Sequence, residues 1–404
     1  MKVAGIIAEY DPFHKGHAAH IAATRAPDGG GATHVVAVIS GSFTQRGEPA
    51  LLTKFRRAEM ALAEGADLVL ELPLPFAMAP AESFAAGGVA ILRGMGCVDT
   101  LSFGSECGDI ECLCRLASLA DQADYKAELQ TAMNSGIPYA AAGQAAAAAV
   151  LGEEAAAPLA SPNNTLGLEY IRAAKQQEAH FNFFTLQRRG ALHTDKAPKQ
   201  GFASATLLRE MARKGNIAEA APYMPEHAHG ILQAAAEAGE ITADAAKLEA
   251  ALLARLRRMT PEDFAALPWL SEGLENRLYK ASRTAATYDD LLAAVKTRRY
   301  PMARLRRVLW AALLGLTAAD TNGLPPYIRV LGMNARGREI LAAAVPTLPL
   351  LTRTAQVSAL DARAQRLFSL ECAATDLHAL AMPRPLPCGT DHTEKLIVTD
   401  TKNA

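Results

Sequence analysis

The first two hundred residues alternate between short apolar runs and longer amphipathic stretches. Lys2–Glu9 (KVAGIIAE) is mostly apolar with β-branched positions, which predicts a buried strand. A helix is expected from near Gly16 to about Arg25, followed by a loop at APDGGGAT. His34–Ser40 (HVVAVIS) reads as a second strand. Thr53–Gly65 reads as an amphipathic helix, with Phe55, Met60 and Leu62 apolar and Gly65 as its stop. Asp67–Leu72 is a third strand closed by Pro73. A helix at ESFAAGGVAILRGMG and a fourth strand at Asp99–Glu106 follow. Helical segments then run to about Leu151, and Phe181–Gly190 is a late fifth strand. From about Gly201 onward only helices are expected, broken near Pro261, Pro301, Pro325 and Pro346.

Strand–helix alternation specifies an α/β fold: a Rossmann-like parallel sheet with helices on both faces, here followed by a mainly α-helical C-terminal domain. The boundary is placed at residues 190–205, giving domains 1–200 and 201–404. Parallel sheets bind ligands beyond the carboxyl ends of their strands. That rule collects the unusual residues into four loops: Tyr10–His17, Gly41–Gly47, Gly104–Glu106 and Arg188–Gly190.

Composition narrows the classes only a little. Half of the 404 residues are hydrophobic, enough for a sizeable core. The net charge of −1 leaves any basic surface to be local. No apolar run approaches the length of a membrane span, and the N-terminus enters a strand without a signal peptide. The six cysteines are scattered, and the Cys107, Cys112, Cys114 cluster matches no zinc spacing. A reducing cytoplasmic location is the simplest reading.

Three of the ten histidines fall between His14 and His20. In EYDPFHKGHAAH a glycine sits between two imidazoles, directly after the first strand and at a helix start. Gly16 admits close approach of backbone to a phosphate, and the helix N-terminus favours the anion. His14 and His17 are suited to donate hydrogen bonds to phosphate oxygens as charge develops. A zinc site is disfavoured, because the spacing i, i+3, i+6 spreads the three side chains over nearly two helical turns. No metal ligand is assigned. The pattern H-x-G-H resembles the signature of the nucleotidylyltransferase superfamily. FASATLLRE (Phe202–Glu210) resembles that superfamily's S-[STA]-[ST]-x-x-R element, with Ser204 and Thr206 at a helix start and Arg209 balancing phosphate charge. Taken alone it reads as an ordinary N-cap; paired with H-x-G-H it favours phosphate binding.

Further stretches narrow the resemblance. SGSFTQRGEPALLTKFRRAEMAL, GADLVLELP, LSFGSE, SPNNTLGLEYIRA and QRRGALH are similar to the bacterial tRNA(Met) cytidine acetate ligase family. So are LSEGLENRLYKAS, TRRYPMARLRRVLWAALLG and YIRVLGMNARGREIL, so the likeness covers most of the chain in order. The resemblance implies that ATP, with Mg²⁺, activates acetate as acetyl-adenylate with release of pyrophosphate. The acetyl group then passes to the wobble cytidine of elongator tRNA(Met), giving N4-acetylcytidine. It implies an ATP site built from Ile7 to His20, including Tyr10, Phe13, His14, Gly16 and His17. Gly104, Asn163 and Arg188 complete it, with Arg189 as the neighbouring alternative to Arg188, and Ser204 and Arg209 from the second motif. The sequence departs from the family pattern at Asp11 and Lys15, where asparagine is expected. Asp11 would add negative charge beside a triphosphate.

Acetate and the α-phosphate repel, so cations must gather where they meet. His14, His17 and Lys54 are taken as catalytic candidates; Arg46 and Lys54 lie at the expected sheet edge, with a solvated face as the competing reading. Asn163 and Asn164 either read adenine or ribose or form an Asx turn after Pro162. In the helical half, KTRRYPMARLRR holds Lys296, Arg298, Arg299, Arg304, Arg306 and Arg307 around Tyr300, with no acid among them. Arg298, Arg299, Tyr300, Arg304 and Arg307 are assigned to tRNA, by phosphate pairing and base stacking. Two other classes stay open: a small-molecule adenylyltransferase, which needs no basic helical half, and a non-catalytic nucleotide-dependent RNA-binding protein, which needs no paired histidines.

Overall fold

A computed structural model describes residues 1–135, 137, 139–188, 197–198, 201–242, 245–271, 273–297 and 300–399. Its five expected strands form where the pattern places them: β1 (Val3–Ala8), β2 (His34–Ser40), β3 (Leu68–Leu72), β4 (Thr100–Ser105) and β5 (Asn182–Gln187). They run parallel in the order β5-β4-β1-β2-β3. Strand alternation divides the core between the two faces. Ile6, Val35, Ala37, Ile39 and Val69 meet α2 (Lys54–Ala63) and the helices Ala205–Arg213 and Glu226–Ala238. Ile7, Val36, Val38, Leu68 and Leu70 meet the helices Ala81–Gly94, Ile110–Ser118, Pro162–Gln176 and Ala362–Ala379. α1 (Lys15–Arg25) follows β1 and begins at the carboxyl edge of the sheet.

The expectation of helices alone after Gly201 is corrected. β6 (Ile328–Met333) adds antiparallel to β3. β7 (Leu350–Leu351) and β8 (Ile397–Val398) pair parallel with the two ends of β6, completing eight strands. Arg329 hides β6 in the sequence, because a charge in a short apolar run argues against a buried strand. It is buried all the same, donating to Glu71 at 2.9 Å and Asp391 at 2.5 Å. The division at residue 200 therefore does not follow the folding units. Ala203, Leu208, Ala212 and Leu232 are buried against α2, and the chain returns to the sheet at Ile328. Within 201–404, the helices Glu249–Arg258, Leu274–Thr284, Tyr288–Val295 and Met302–Leu314 enclose a core of their own, with Leu252, Leu256, Leu278, Leu291, Leu305 and Val308 inside. No helix among the described residues is long and apolar enough to cross a membrane.

Candidate active site

The loop from Glu9 to His14 turns back sharply, and Tyr10 takes a left-handed backbone (φ 49°) to do so. Such a conformation costs a non-glycine residue roughly 1–2 kcal/mol and persists only under packing. The packing is aromatic: Tyr10 lies 4.8 Å from Phe13 and 4.9 Å from His17 between ring centroids. Beneath the loop, fully buried Arg57 ties the ends of β1 and β2 together. It donates to the carbonyl oxygens of Glu9 at 2.7 Å and Leu52 at 3.3 Å, and to that of Gly41.

His14 and His17 cap α1 reciprocally. The backbone N–H of Gly16 donates to His14 Nδ1 at 3.0 Å, and the N–H of His14 donates to His17 Nδ1 at 3.2 Å. An imidazole nitrogen that accepts carries no hydrogen, so each neutral ring carries it on Nε2. The capping geometry thereby leaves both rings with an Nε2–H donor. The rings stack at 3.7 Å with 17° between planes, and both line a cleft of about 490 Å³.

Gly16, His20, Gly104, Arg188 and Ser204 line the same cleft, so both phosphate motifs and the ends of β4 and β5 converge. A Cβ at Gly104 would stand 3.3 Å from Arg188 Cγ, so the glycine lets the arginine lie across the strand end. Burial lowers the Arg188 pKa, and Glu106 works against that shift. Ser204 caps its helix by accepting from the Leu207 N–H at 3.2 Å. No carboxylate lines the cleft among the described residues.

His20 is held by a directed chain. Thr24 Oγ1 donates to the His20 carbonyl at 2.8 Å, so it accepts from Ser102 Oγ at 2.7 Å. Ser102 Oγ in turn accepts from His20 Nε2 at 2.9 Å. Burial, reinforced by the Arg188 charge, lowers the His20 pKa to about 4, so the ring is neutral.

The structure places several of the expected site residues outside the lining of the cleft. Ile7, Tyr10 and Phe13 point into the core and support the loop from behind; their side chains do not line the cleft. Asn163 is also outside the lining. It donates to Glu106 Oε1 at 2.6 Å, while Asn164 accepts from the Glu106 and Cys107 N–H groups at 2.8 and 3.1 Å. The pair clasps the start of helix Pro162–Gln176 to the end of β4. Arg209 donates to the Asp11 carbonyl at 2.7 Å and binds the loop itself. Asp11 turns inward, accepting from the Leu51 N–H at 2.7 Å, so its charge does not face the cleft. Lys54 is wholly buried among Glu71, Glu371 and Asp391, at 2.6, 3.3 and 2.7 Å, and is not in the cleft. Arg189, Arg298 and Arg299 lie outside the described residues. Leu186, Gln187, Phe202 and Ala203, which line the cleft, were not anticipated, nor were Ser102, Thr24 and Glu106 as its supports. Phe202 and Ala203 adjoin the second motif, which is the signal that pointed nearest to them.

The basic stretch is largely occupied. Tyr300 is in the helical core, 3% exposed, and cannot stack on a base without unpacking. Arg304 donates to the Trp269 carbonyl at 2.7 Å and Ser271 Oγ at 2.8 Å. Arg307 donates to the Gln45 carbonyl at 3.1 Å, and Arg306 pairs with Glu48. Gly47 makes this docking close: a Cβ there would lie 2.5 Å from the Arg307 nitrogen. These arginines fasten the helical core to the loop after β2.

A second neutral histidine offers a test of the electrostatics. His378 is 1% exposed and donates from Nε2 to the Ala50 carbonyl at 2.7 Å; burial lowers its pKa to about 4, against the opposing pull of that bond. The unfolded chain protonates near 6.5, so this stability is full above pH 6.5 and is lost as pH falls toward 4. His378→Gln keeps a donor but does not titrate. Between pH 7.5 and 5, denaturant unfolding should show wild type losing about 2 kcal/mol relative to that variant. A constant gap between the two would contradict the assignment.

The chain matches the family model described as HIGH Nucleotidyl Transferase over residues 1–391, and it belongs to that family of nucleotidyl transferases. It is 35% identical to the tRNA(Met) cytidine acetate ligase of Acetivibrio thermocellus, across 98% of this chain and 100% of that protein. It is 39% identical to the enzyme of that name from Syntrophotalea carbinolica, across 88% and 86%. Thermotoga maritima TmcAL in its apo form superposes with a TM-score of 0.93 at 31% identity, covering 99% of this chain and 100% of that one. The same protein bound with alpha-thio ATP gives 0.90 at 30% identity. Within the nucleotidyl transferases, then, the chain is a member of the tRNA(Met) cytidine acetate ligase family.

Proposed function

We propose that the cleft binds ATP and directs acetate onto its α-phosphate. A carboxylate oxygen of acetate forms the new bond to phosphorus, and pyrophosphate leaves. The observation that carries this reading is the pair of capped histidines, whose tautomers present Nε2–H donors at a helix N-terminus where charge builds in the transition state. Arg188 supplies positive charge from across the cleft. Among the described residues no group of three or more potential ligands can hold a metal ion. In this reading Mg²⁺ comes with the triphosphate. In the second step the exocyclic amine of the wobble cytidine of elongator tRNA(Met) attacks the acetyl carbonyl, loses a proton, and AMP leaves. An acyl-adenylate is reactive enough that placement of the amine supplies most of the catalysis. In this reading the protein works in the cytoplasm, where its tRNA substrate is.

The helical core supports the RNA part of the reading. Residues 249–314 carry twelve Lys and Arg against seven Asp and Glu, a net charge of +5 in a chain of net charge −1. Arg298 and Arg299 are the members of the basic stretch we assign to tRNA. Arg298→Ala with Arg299→Ala should weaken tRNA binding about tenfold at moderate salt and flatten its salt dependence, with pyrophosphate exchange unchanged. Equal affinity would move the RNA site elsewhere. The overall reading is tested with ATP, Mg²⁺, labelled acetate and unmodified elongator tRNA(Met). Label on the wobble cytidine supports it; no acetate-dependent pyrophosphate release refutes it.

A further inference from the structure

The outer edge of β6 is paired only at its ends. β7 covers Ile328 and Arg329, and β8 covers Gly332 and Met333. Between them Val330 and Leu331 have no strand partner on that edge among the described residues. The gap opens into a cavity of about 530 Å³, on the far side of the sheet order from β5 and distinct in its lining from the histidine cleft. Its ends are the residues that leave β7, Leu351 and Thr352, and the residue that enters β8, Leu396.

The lining has two characters. Phe55, Leu331, Leu351, Phe368 and Leu396 supply apolar wall. Arg353 and Lys395 supply positive charge against Glu394, while the Arg329 charge is already met by Glu71 and Asp391. Arg329 is the informative one. Its Nη1 is engaged by Glu71 and Asp391, and its Nη2 by the Asp391 carbonyl. No acceptor among the described residues meets its Nε–H, which is not sealed from solvent but opens toward the cavity. An arginine N–H that opens into a cavity is free to donate to a bound acceptor. An unpaired length of strand edge is likewise an unsatisfied row of donors and acceptors.

We infer that this notch is a binding site for a small organic anion: one carboxylate or phosphate group on a compact apolar body. The anionic group meets Arg329 Nε and the Arg353 and Lys395 side chains, and the apolar body fills the gap between β7 and β8. The two flanking strands leave too little open edge for an incoming peptide strand, which selects a small molecule. The volume falls in the usual range for such sites, about 300–1,000 Å³.

The test uses the full chain saturated with ATP, which fills the histidine cleft. 4-Phenylbutyrate, 1-naphthyl phosphate and neutral 4-phenylbutanol are titrated by calorimetry. The expected result is one site per chain for at least one of the two anions, with the alcohol at least tenfold weaker. The winning anion tells a carboxylate site from a phosphate site. Arg353→Glu with Lys395→Glu, both at exposed positions, should weaken the anion at least tenfold and leave ATP affinity unchanged. Leu331→Trp should block the notch by filling it. Failure of both anions to bind, binding that ATP abolishes, or unchanged affinity in the charge-reversed variant would each overturn the proposal. None of these outcomes depends on acetate or tRNA.

Discussion

His17→Ala should reduce acetate-dependent ATP–pyrophosphate exchange to below about 1% of wild type. A lone donor aimed at developing charge is worth roughly 2.7–4 kcal/mol of transition-state stabilisation. The substitution also removes the acceptor of the His14 N–H, and with it one half of the α1 cap. Loss of such a cap costs about 1 kcal/mol of stability, too little to unfold the chain. His17→Phe separates the two effects from the loss of stacking, because a phenyl ring keeps the contact with His14 while offering no donor. Both variants should fall to the same low activity and retain tRNA affinity. His17→Phe with more than a tenth of wild-type exchange would mean that the ring's shape, not its Nε2–H, is what matters.

The same reasoning explains what could be read from the chain alone. The H-x-G-H loop was legible because capping is local: donor, acceptor and glycine lie within four positions, and a strand of obvious pattern precedes them. β1 to β3 were legible for a related reason, since strands buried on both faces are continuous apolar runs. β6 was not, because the partners that make Arg329 tolerable there, Glu71 and Asp391, come from distant parts of the sequence. Sequence pattern ranks a residue by its own polarity, whereas burial of a charge depends on who else is buried with it.

The expected site residues that the structure places outside the cleft share that cause. Asn163 has the chemistry to read a nucleotide, but Glu106 claims it first. Arg304 and Arg307 look like phosphate ligands in a row of cations, yet backbone carbonyls of Trp269 and Gln45 take them up. A cation near the correct edge of a sheet is thus weak evidence of catalysis until its partners are known. A capped histidine pair is stronger evidence, because the cap itself dictates the tautomer.

Lys54 is the sharpest case, and its replacement carries the second large expected effect. Its ammonium contacts Glu71, Glu371 and Asp391 with none of the four side chains open to solvent. Burial opposes its charge, yet Asp391, Glu71 and Glu371 together hold its pKa above the ordinary lysine range. Burial would also raise Asp391, but Lys54 and Arg329 pull it down to about 2. Glu371 goes the other way: burial and the nearby Glu71 push it up to about 8, so it is mostly protonated at pH 7. Two cations then face two carboxylates. Lys54→Met keeps the volume and removes one cation, leaving an excess of buried negative charge. Breaking a buried pair in this way costs about 3–5 kcal/mol. Denaturant unfolding should show that loss, while pyrophosphate exchange per folded molecule stays within about threefold of wild type, since stability and transition-state binding are separate here. A catalytic Lys54 predicts the reverse, near-normal stability with exchange reduced a hundredfold. Lys54→Arg discriminates further, because it keeps the charge but places a planar fork where three carboxyl groups surround a point charge. It should recover part of the stability and change exchange little.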